Sequence, residues 1–143
     1  MADICLFGAA PDTGNLGVSA LLNATIRALH DQLPDHRFVV FDNGLGVRAL
    51  QPGDVHHRPG FPKVQLRGYR AGKRLYRPEN MLALRWSAGL GTIGRQLNAN
   101  LACIDRSAAV LDISGGDSFS DIYGAKRFES VALPKQVAVQ RGR

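Results

Sequence analysis

The stretch of the chain that decides the fold is DICLFGAAPDTGNLGVS, residues 3–19. Residues 3–8 are a short apolar run that predicts a buried strand ending at Gly8. The segment Gly14-Asn15-Leu16-Gly17 then opens a helical pattern. Glycine lets backbone N–H groups face a ligand, and the start of a helix carries a partial positive charge. This strand, turn and helix therefore predict a site for an anionic or hydroxyl-rich ligand.

A second stretch of the same kind is AVLDISGGDSFSD, residues 109–121. Its apolar run predicts a strand over residues 109–114, and the pair Gly115 and Gly116 follows at once. The carboxyl ends of parallel strands lie at one edge of a sheet, where open α/β sheets bind their ligands. We therefore expect both glycine turns at the same edge, lining one cleft.

Between these two stretches, strand and helix patterns alternate. Residues 37–42 predict a buried strand that ends at the turn Asn43-Gly44, and residues 63–67 predict a further strand. A helical stripe of apolar residues runs from Val18 to Leu33, and Pro34 closes it. The alternation and the nearly continuous apolar strands predict an α/β fold with a Rossmann-like parallel sheet and helices on both faces.

A longer helical pattern follows, and it contains several glycines. It begins at Pro78, which suits a first helical position, and its apolar stripe consists of Leu82, Trp86, Leu90, Ile93, Leu97, Leu101 and Ile104. Gly89, Gly91 and Gly94 each weaken a helix by roughly 1 kcal/mol relative to alanine. We expect a break or tight packing near Gly91. A last helix from about Asp121 is expected to be interrupted at Pro134.

The composition indicates one soluble domain. With 143 residues and 45% hydrophobic content, residues 1–143 suffice for a single core. No apolar run is long enough to span a bilayer, and the amino terminus lacks a signal-peptide pattern, so we expect a cytoplasmic protein without a membrane span. Cys5 and Cys103 are interpreted as small buried hydrophobes in a reducing compartment. No metal site and no cofactor are predicted, because neither the cysteines nor His56-His57 have ligand spacing.

The net charge of +6 raises the question of nucleic-acid binding. Much of it lies in the basic segment, residues 67–77, which includes two tyrosines. The basic side chains of such a segment could bind the phosphate backbone of a nucleic acid, and its tyrosines could stack on the bases. The alternative is a solvated loop beside a cleft for smaller anions. We favour the loop and expect no nucleic-acid partner, because no other part of the sequence resembles a nucleic-acid module.

The two glycine turns carry a family resemblance. Residues 14–17 and the segment LDISGGDSF, residues 111–119, resemble the N-terminal half of the polysaccharide pyruvyl transferase family. That resemblance covers most of residues 3–128. It implies transfer of a pyruvyl group from phosphoenolpyruvate to a sugar hydroxyl, on two Rossmann-like domains that face a cleft. The family commonly has Asp where this chain has Val18. The resemblance further implies that the C-terminal domain is missing and that the chain is inactive alone.

Five residues are the candidate site. Asn15 and Gly17, together with Gly115 and Gly116, are predicted to bind substrate, and Asp117 is predicted to act as a general base on a sugar hydroxyl. Each also has a structural interpretation, as a helix cap or as a turn. The alternative function is a non-catalytic Rossmann-like module that binds a nucleotide or a sugar phosphate. Asp42 is compatible with a dinucleotide version of this alternative, because it ends the predicted second strand.

Overall fold

The computed structural model describes residues 2–9, 11, 15–50, 62–70, 78–115 and 124–143. The strands are β1 (Asp3–Phe7), β2 (Arg37–Leu45), β3 (Val47–Ala49), β4 (Val64–Arg70) and β5 (Ser107–Asp112). The helices are α1 (Leu16–Gln32), α2 (Pro78–Gly89), α3 (Gly91–Leu97), α4 (Ala99–Arg106) and α5 (Ala125–Gln140). The predicted α/β class is confirmed.

The strands form one sheet in the order β3-β4-β2-β1-β5. β1 lies between β2 and β5 and is parallel to both, and β2 is parallel to β4. These are the four strands that the sequence predicts. The sheet is nevertheless mixed rather than parallel, because β3 runs antiparallel to β4.

The antiparallel strand arises from a chain reversal after β2. The predicted end of β2 at Asn43-Gly44 is wrong, because the strand continues to Leu45. Gly46 then takes a φ of 59°, a conformation that suits glycine, and the chain crosses to the far side of β4. The crossing passes close to Gly68, where a Cβ atom would lie 1.9 Å from the carbonyl oxygen of Gly44. Small residues on both segments permit this approach.

The sheet has a core on each face, because strand side chains alternate between the two sides. From β1, Ile4 and Leu6 pack beneath α1, whereas Cys5 and Phe7 face α2, α4 and α5. The α1 core also contains Leu22, Ile26, Phe38, Val40, Val64 and Leu66. The opposite core also contains Val39, Phe41, Leu84, Leu101, Cys103, Ile104, Val137 and Ala138. Helices on both faces, as predicted, are therefore confirmed.

The long helical pattern after Pro78 forms three helices instead of one. The first break lies at Leu90 and Gly91, as expected, and Gly91 has a φ of 58°. Gly94 packs directly on α2, because a Cβ atom there would lie 1.8 Å from the carbonyl oxygen of Ser87. The second break was not predicted. It lies at Asn98, whose side chain accepts hydrogen bonds from the N–H groups of Asn100 (3.0 Å) and Leu101 (3.1 Å) and so starts α4.

These breaks divide the predicted apolar stripe between core and surface. Leu101 and Ile104 are fully buried in α4. Trp86, Leu90 and Ile93 are exposed, together with Leu97. The exposed residues lie on both sides of the first break and the buried ones follow the second, so the stripe passes from surface to core at Asn98.

The last helix contradicts the expected interruption at Pro134. α5 runs from Ala125 to Gln140 with Pro134 inside it. A proline in a helix interior costs about 3 kcal/mol, yet the helix continues and buries Val137 and Ala138 in the core. Among the parts of the chain that the structure describes, no helix has the length and apolar character that crossing a membrane requires.

Two carboxylates near the amino ends of β1 and β5 form ion pairs with arginines. Asp3 receives hydrogen bonds from Nε and Nη2 of Arg37, both at 2.8 Å. The side chain of Asp105 is almost completely buried, and its Oδ1 accepts a hydrogen bond from Nε of Arg141 at 2.8 Å. Hydrogen bonding from Arg141 lowers the pKa of Asp105 below its ordinary value. Asp105 thus links the end of α4 to the end of α5.

Candidate functional site

The candidate site lies at the carboxyl edge of β1 and β5. In the parallel register Phe7 is opposite Asp112. The N–H of Ile113 donates to the carbonyl of Phe7 at 2.9 Å. The chain therefore leaves both strands at the same level and on the same side. The prediction that the two glycine stretches leave from one edge is confirmed for Gly8 and Gly115, which follow these strands.

Gly8 brings the two stretches into direct contact. It has a φ of 89°, a value that an L side chain rarely adopts. A Cβ atom at this position would lie 2.0 Å from Oγ of Ser114 and 2.6 Å from Oδ1 of Asp112. Only a residue without a side chain fits here. The glycine in the first turn is therefore required by the second loop.

Three polar side chains meet beside Gly8. Oγ of Ser114 lies 2.7 Å from Oδ1 of Asp112, and Nζ of Lys135 lies 2.8 Å from Oγ of Ser114. The same ammonium group is 3.1 Å from Oδ2 of Asp112. Lys135 comes from α5, and its side chain is 16% exposed. We call Asp112, Ser114 and Lys135 the edge cluster.

The hydrogen-bond directions in the edge cluster limit its chemistry. Lys135 donates to Ser114, so the Ser114 hydroxyl accepts that bond and donates its own proton to Asp112. The N–H of Ser114 also donates to Asp112, at 3.1 Å. This arrangement orders the loop and places a cation at the edge. The groups in contact with the Ser114 hydroxyl are a carboxylate, which is a weak base for a serine hydroxyl, and an ammonium group, so the arrangement does not favour nucleophilic attack by the serine.

Asn15 caps α1. Its Oδ1 accepts hydrogen bonds from the N–H groups of Gly17 (3.0 Å) and Val18 (3.3 Å). Oγ of Ser19 donates to the carbonyl of Pro11 at 3.1 Å, which connects the first turn of the helix to Pro11. The structural interpretation of Asn15 and Gly17 is therefore realised. A ligand that bound the N–H groups of Gly17 and Val18 would have to displace the side-chain oxygen Oδ1 of Asn15 from them.

The other predicted site residues are only partly described. Gly115 is exposed and directly follows Ser114 of the edge cluster. Gly116 and Asp117 lie outside the described residues, so their roles remain predictions. Sequence reasoning missed Lys135 altogether. Its partner Ser114 is 21 residues away in the sequence, and no local pattern connects the two residues.

Asp42 does not occupy the position that a dinucleotide site needs. Its side chain is fully buried and is paired with Arg48, and Oδ1 accepts the N–H of Gly44 at 2.9 Å. β2 continues past it to Leu45. A ribose-binding carboxylate has to end its strand and face the ligand. The structure therefore removes the support that Asp42 gave to a dinucleotide.

The basic segment serves the fold in part. Nε of Arg67 donates to Oδ1 of Asn100 at 2.8 Å, and its Nη2 donates to the carbonyl of Ala99 at 2.9 Å. Asn100 in turn donates to the carbonyl of Gly68 at 3.0 Å. Arg67 thus attaches β4 to α4. Of the other cations in this segment, Arg70 is the last residue of β4, and Lys73, Arg74 and Arg77 lie outside the described residues.

A second basic region lies at the amino edge of the sheet, opposite the candidate site. Arg37, Arg48 and Lys63 line a shallow depression beside Val64 there. Both arginines are paired, Arg37 with Asp3 and Arg48 with Asp42. Lys135 at the carboxyl edge is paired too, with Asp112. We place the candidate site at the carboxyl edge because the two glycine stretches meet there, and because open α/β sheets bind their ligands at that edge.

The two cysteines are buried, as predicted, and they are neighbours. Sγ of Cys5 lies 4.0 Å from Sγ of Cys103. Hydrogen bonding with Cys103 and burial raise the pKa of Cys5 above its ordinary value. This makes the Cys5 thiol a poor nucleophile, and Cys103, whose pKa the hydrogen bond with Cys5 lowers, is buried beside it. The pair belongs to the core.

Comparison of the chain with family models, with curated proteins and with solved structures returned no match. The functional interpretation therefore depends on the geometry of the edge and on the residues of the two glycine stretches.

Proposed function

We propose that the carboxyl edge of β1 and β5 binds a phosphorylated or hydroxyl-rich ligand, as one half of a pyruvyl-transfer site. The observation that supports this most directly is the contact between Gly8 and Ser114 beside the ammonium group of Lys135. Two loops and a cation meet where open α/β sheets bind ligands. The resemblance of both loops to polysaccharide pyruvyl transferases supports the choice of reaction.

In this proposal Lys135 attracts an anionic group of the ligand. Phosphoenolpyruvate carries a phosphate and a carboxylate, and an ammonium ion recognises either group as a point charge. Asp112 and Ser114 hold the lysine side chain in place. Gly115 and Gly116 allow the ligand to approach the backbone. Asp117 accepts a proton from the sugar hydroxyl as that hydroxyl adds to C2 of phosphoenolpyruvate and C3 takes up a proton, after which a second hydroxyl of the sugar displaces phosphate from C2.

The proposed site requires a second surface. Among the described residues, Lys135 is the only cation in contact with Asp112 and Ser114. Phosphoenolpyruvate carries two anionic groups, and binding both requires several cations. Holding donor and acceptor in register is worth roughly 7–11 kcal/mol of the barrier. We propose that another domain or polypeptide supplies the remaining groups. Val18, which replaces the common Asp of the family, contributes no carboxylate, so that surface supplies any acid needed there.

Binding is tested by titrating the chain with phosphoenolpyruvate, and separately with inorganic phosphate, while following backbone amide NMR shifts. We expect the shifts to concentrate at Gly8, Ser114 and Gly115. Lys135→Gln weakens binding by about tenfold, and Lys135→Arg keeps most of it because the charge remains. Lys63→Gln is the matched control at the opposite edge. Shifts confined to the depression beside Lys63 would contradict the proposal.

Catalysis is tested separately from binding. The isolated chain is expected not to transfer pyruvate, and activity should appear when a complementary C-terminal domain is added. In that reconstituted enzyme Asp117→Asn lowers kcat by about 10²–10⁴-fold. Turnover by the chain alone would contradict the requirement for a second surface. Ligand binding without turnover under any complementation would favour the non-catalytic module.

A further inference from the structure

The surface of α2 and α3 carries a row of apolar side chains that the fold does not bury. Trp86 is 72% exposed, Leu90 51%, Ile93 60% and Leu97 70%. We call these four residues the apolar strip. Trp86 and Leu90 lie one turn apart at the end of α2, and Ile93 and Leu97 lie one turn apart on α3, so each helix presents a pair of apolar side chains. Contiguous exposed apolar patches on a soluble surface mark interaction sites.

The strip is accompanied by positive charge. The exposed Arg85 lines a shallow groove together with Trp86, Gly89 and Leu90. Arg95 is 47% exposed and lies 3.8 Å from Asp105, a carboxylate that Arg141 already holds. Across residues 83–97, whose side chains the structure describes, there is no acidic residue. The surroundings of the strip therefore attract carboxylates.

Three kinds of occupant are distinguishable on this evidence. A second copy of the chain would bring its own arginines and a net charge of +6, so like charges would meet. A bilayer would meet the apolar residues of both helices with its flat surface, whereas a partner helix brings apolar anchors together with carboxylates that pair with individual arginines. The groove beside Trp86 and Leu90 lies on one turn at the end of α2, and a Cβ atom at Gly89 would meet nothing within 4 Å, so the groove leaves room for one anchor side chain of such a helix.

We propose that the apolar strip is the docking surface for an acidic amphipathic α-helix of a partner protein. The apolar face of that helix covers Trp86, Leu90, Ile93 and Leu97, and its flanking carboxylates pair with Arg85 and Arg95. Tryptophan and arginine are the residues that most often dominate binding energy at such interfaces.

Trp86 reports on the strip directly, because it is the only tryptophan of the chain. The probe is a synthetic helical peptide with a leucine seam flanked by glutamate, titrated while Trp86 emission is recorded. We expect saturable binding with a blue shift as the indole leaves water. A peptide with the same seam flanked by lysine is expected to bind at least about tenfold more weakly. Equal binding of the two peptides would overturn the proposal.

Variants separate the charge from the groove. Replacing both Arg85 and Arg95 with Glu should reverse the preference between the two peptides. Gly89→Leu should fill the groove and weaken binding by about tenfold, while circular dichroism shows the native fold. Arg27→Glu on α1 is the matched control, since Arg27 is also exposed. It should leave binding unchanged.

Two further arms test the other occupants. Trp86 emission is recorded with anionic phosphatidylserine vesicles, and sedimentation velocity is measured over a range of chain concentrations. A blue shift that only vesicles produce would assign the strip to a membrane surface and overturn the proposal. A dimer that Leu97→Ser abolishes, without peptide binding, would assign it to a second copy and also overturn it. A monomer that binds the glutamate peptide supports it.

Discussion

Gly8 is the residue on which the edge cluster depends most. The backbone of Gly8 has a φ of 89°, which is unfavourable for any residue with a side chain. A Cβ atom there would also collide with atoms of Ser114 and Asp112. We expect Gly8→Ala to lower the free energy of unfolding by about 2–4 kcal/mol, because backbone strain and a steric clash add. Urea denaturation measures this effect.

The control for that substitution is Gly46→Ala. Gly46 also has a positive φ, 59°, but a Cβ atom there would meet nothing within 4 Å. Its cost should therefore be the backbone term alone, about 1–2 kcal/mol. If the two variants are equally destabilised, the contact between Gly8 and Ser114 contributes nothing to stability.

Asp105 gives the protein a defined sensitivity to acid. Because Arg141 lowers the pKa of Asp105 in the folded chain, this carboxylate stabilises the fold at pH values above its ordinary pKa. That stabilisation is lost as the pH falls through the lowered pKa of the folded state. We expect Asp105→Asn to destabilise the chain by about 1–3 kcal/mol at neutral pH, and by progressively less at acidic pH as the pH falls through the lowered pKa of Asp105.

Unfolding by urea at the two pH values measures this difference. Asp31→Asn serves as the control, because the pair of Asp31 with Arg27 is exposed on both sides and such pairs contribute little. A destabilisation by Asp105→Asn that is the same at both pH values would show that the ion pair with Arg141 is not its cause.

Single residues were predictable where their role is local. The cap at Asn15 and the turn at Gly8 follow from residue type and from immediate neighbours. Lys135 was not predictable in this way, because its contact with Ser114 depends on how α5 docks against β5. The burial and pairing of Asp42 were not predictable for the same reason. Its partner Arg48 becomes available only after the chain reverses at Gly46.

Among the elements, the pair α2 and α3 depends on a close backbone contact. A Cβ atom at Gly94 would lie 1.8 Å from the carbonyl oxygen of Ser87. We expect Gly94→Ala to destabilise the chain by about 1–3 kcal/mol, because the two helices would have to move apart. Gly89→Ala is the matched control, since its Cβ atom would meet open space. It should be neutral or slightly stabilising.

Differential scanning calorimetry of the two alanine variants measures the contrast. Trp86 emission in the Gly94→Ala variant should also change, because the angle between the helices sets the exposure of the apolar strip. An unchanged melting temperature for Gly94→Ala would mean that the helices pack more loosely than the structure indicates.

Elements were predictable where a strong local signal exists. The four parallel strands follow from apolar runs, and the break at Gly91 follows from its glycines. The short strand β3 carries no such signal, because three residues between loops show no period. The break at Asn98 does have a local signal, because asparagine is a favoured N-cap residue. The apolar stripe continues past Asn98, however, and favoured one long helix. The helix-breaking tendency of Pro134 was outweighed by the packing of α5 on the core.

For the whole molecule, the sequence predicted the layers and the shared carboxyl edge, because both follow from alternation and parallel pairing. It did not predict the order of the strands or the antiparallel β3, which depend on contacts between distant segments. The apolar strip is the clearest example of this limit. Its residues have the pattern of a buried stripe, and only the arrangement of three helices brings them to the surface.

The central position of β1 has a consequence for biosynthesis. β1 (Asp3–Phe7) leaves the ribosome before the other strands of the sheet, and one of its two neighbours, β5 (Ser107–Asp112), is made about a hundred residues later. Until then the hydrogen-bonding groups along one side of β1 remain open to a wrong partner. Nascent chains stalled before Ser107 should therefore engage chaperones, and release from them should coincide with the emergence of β5.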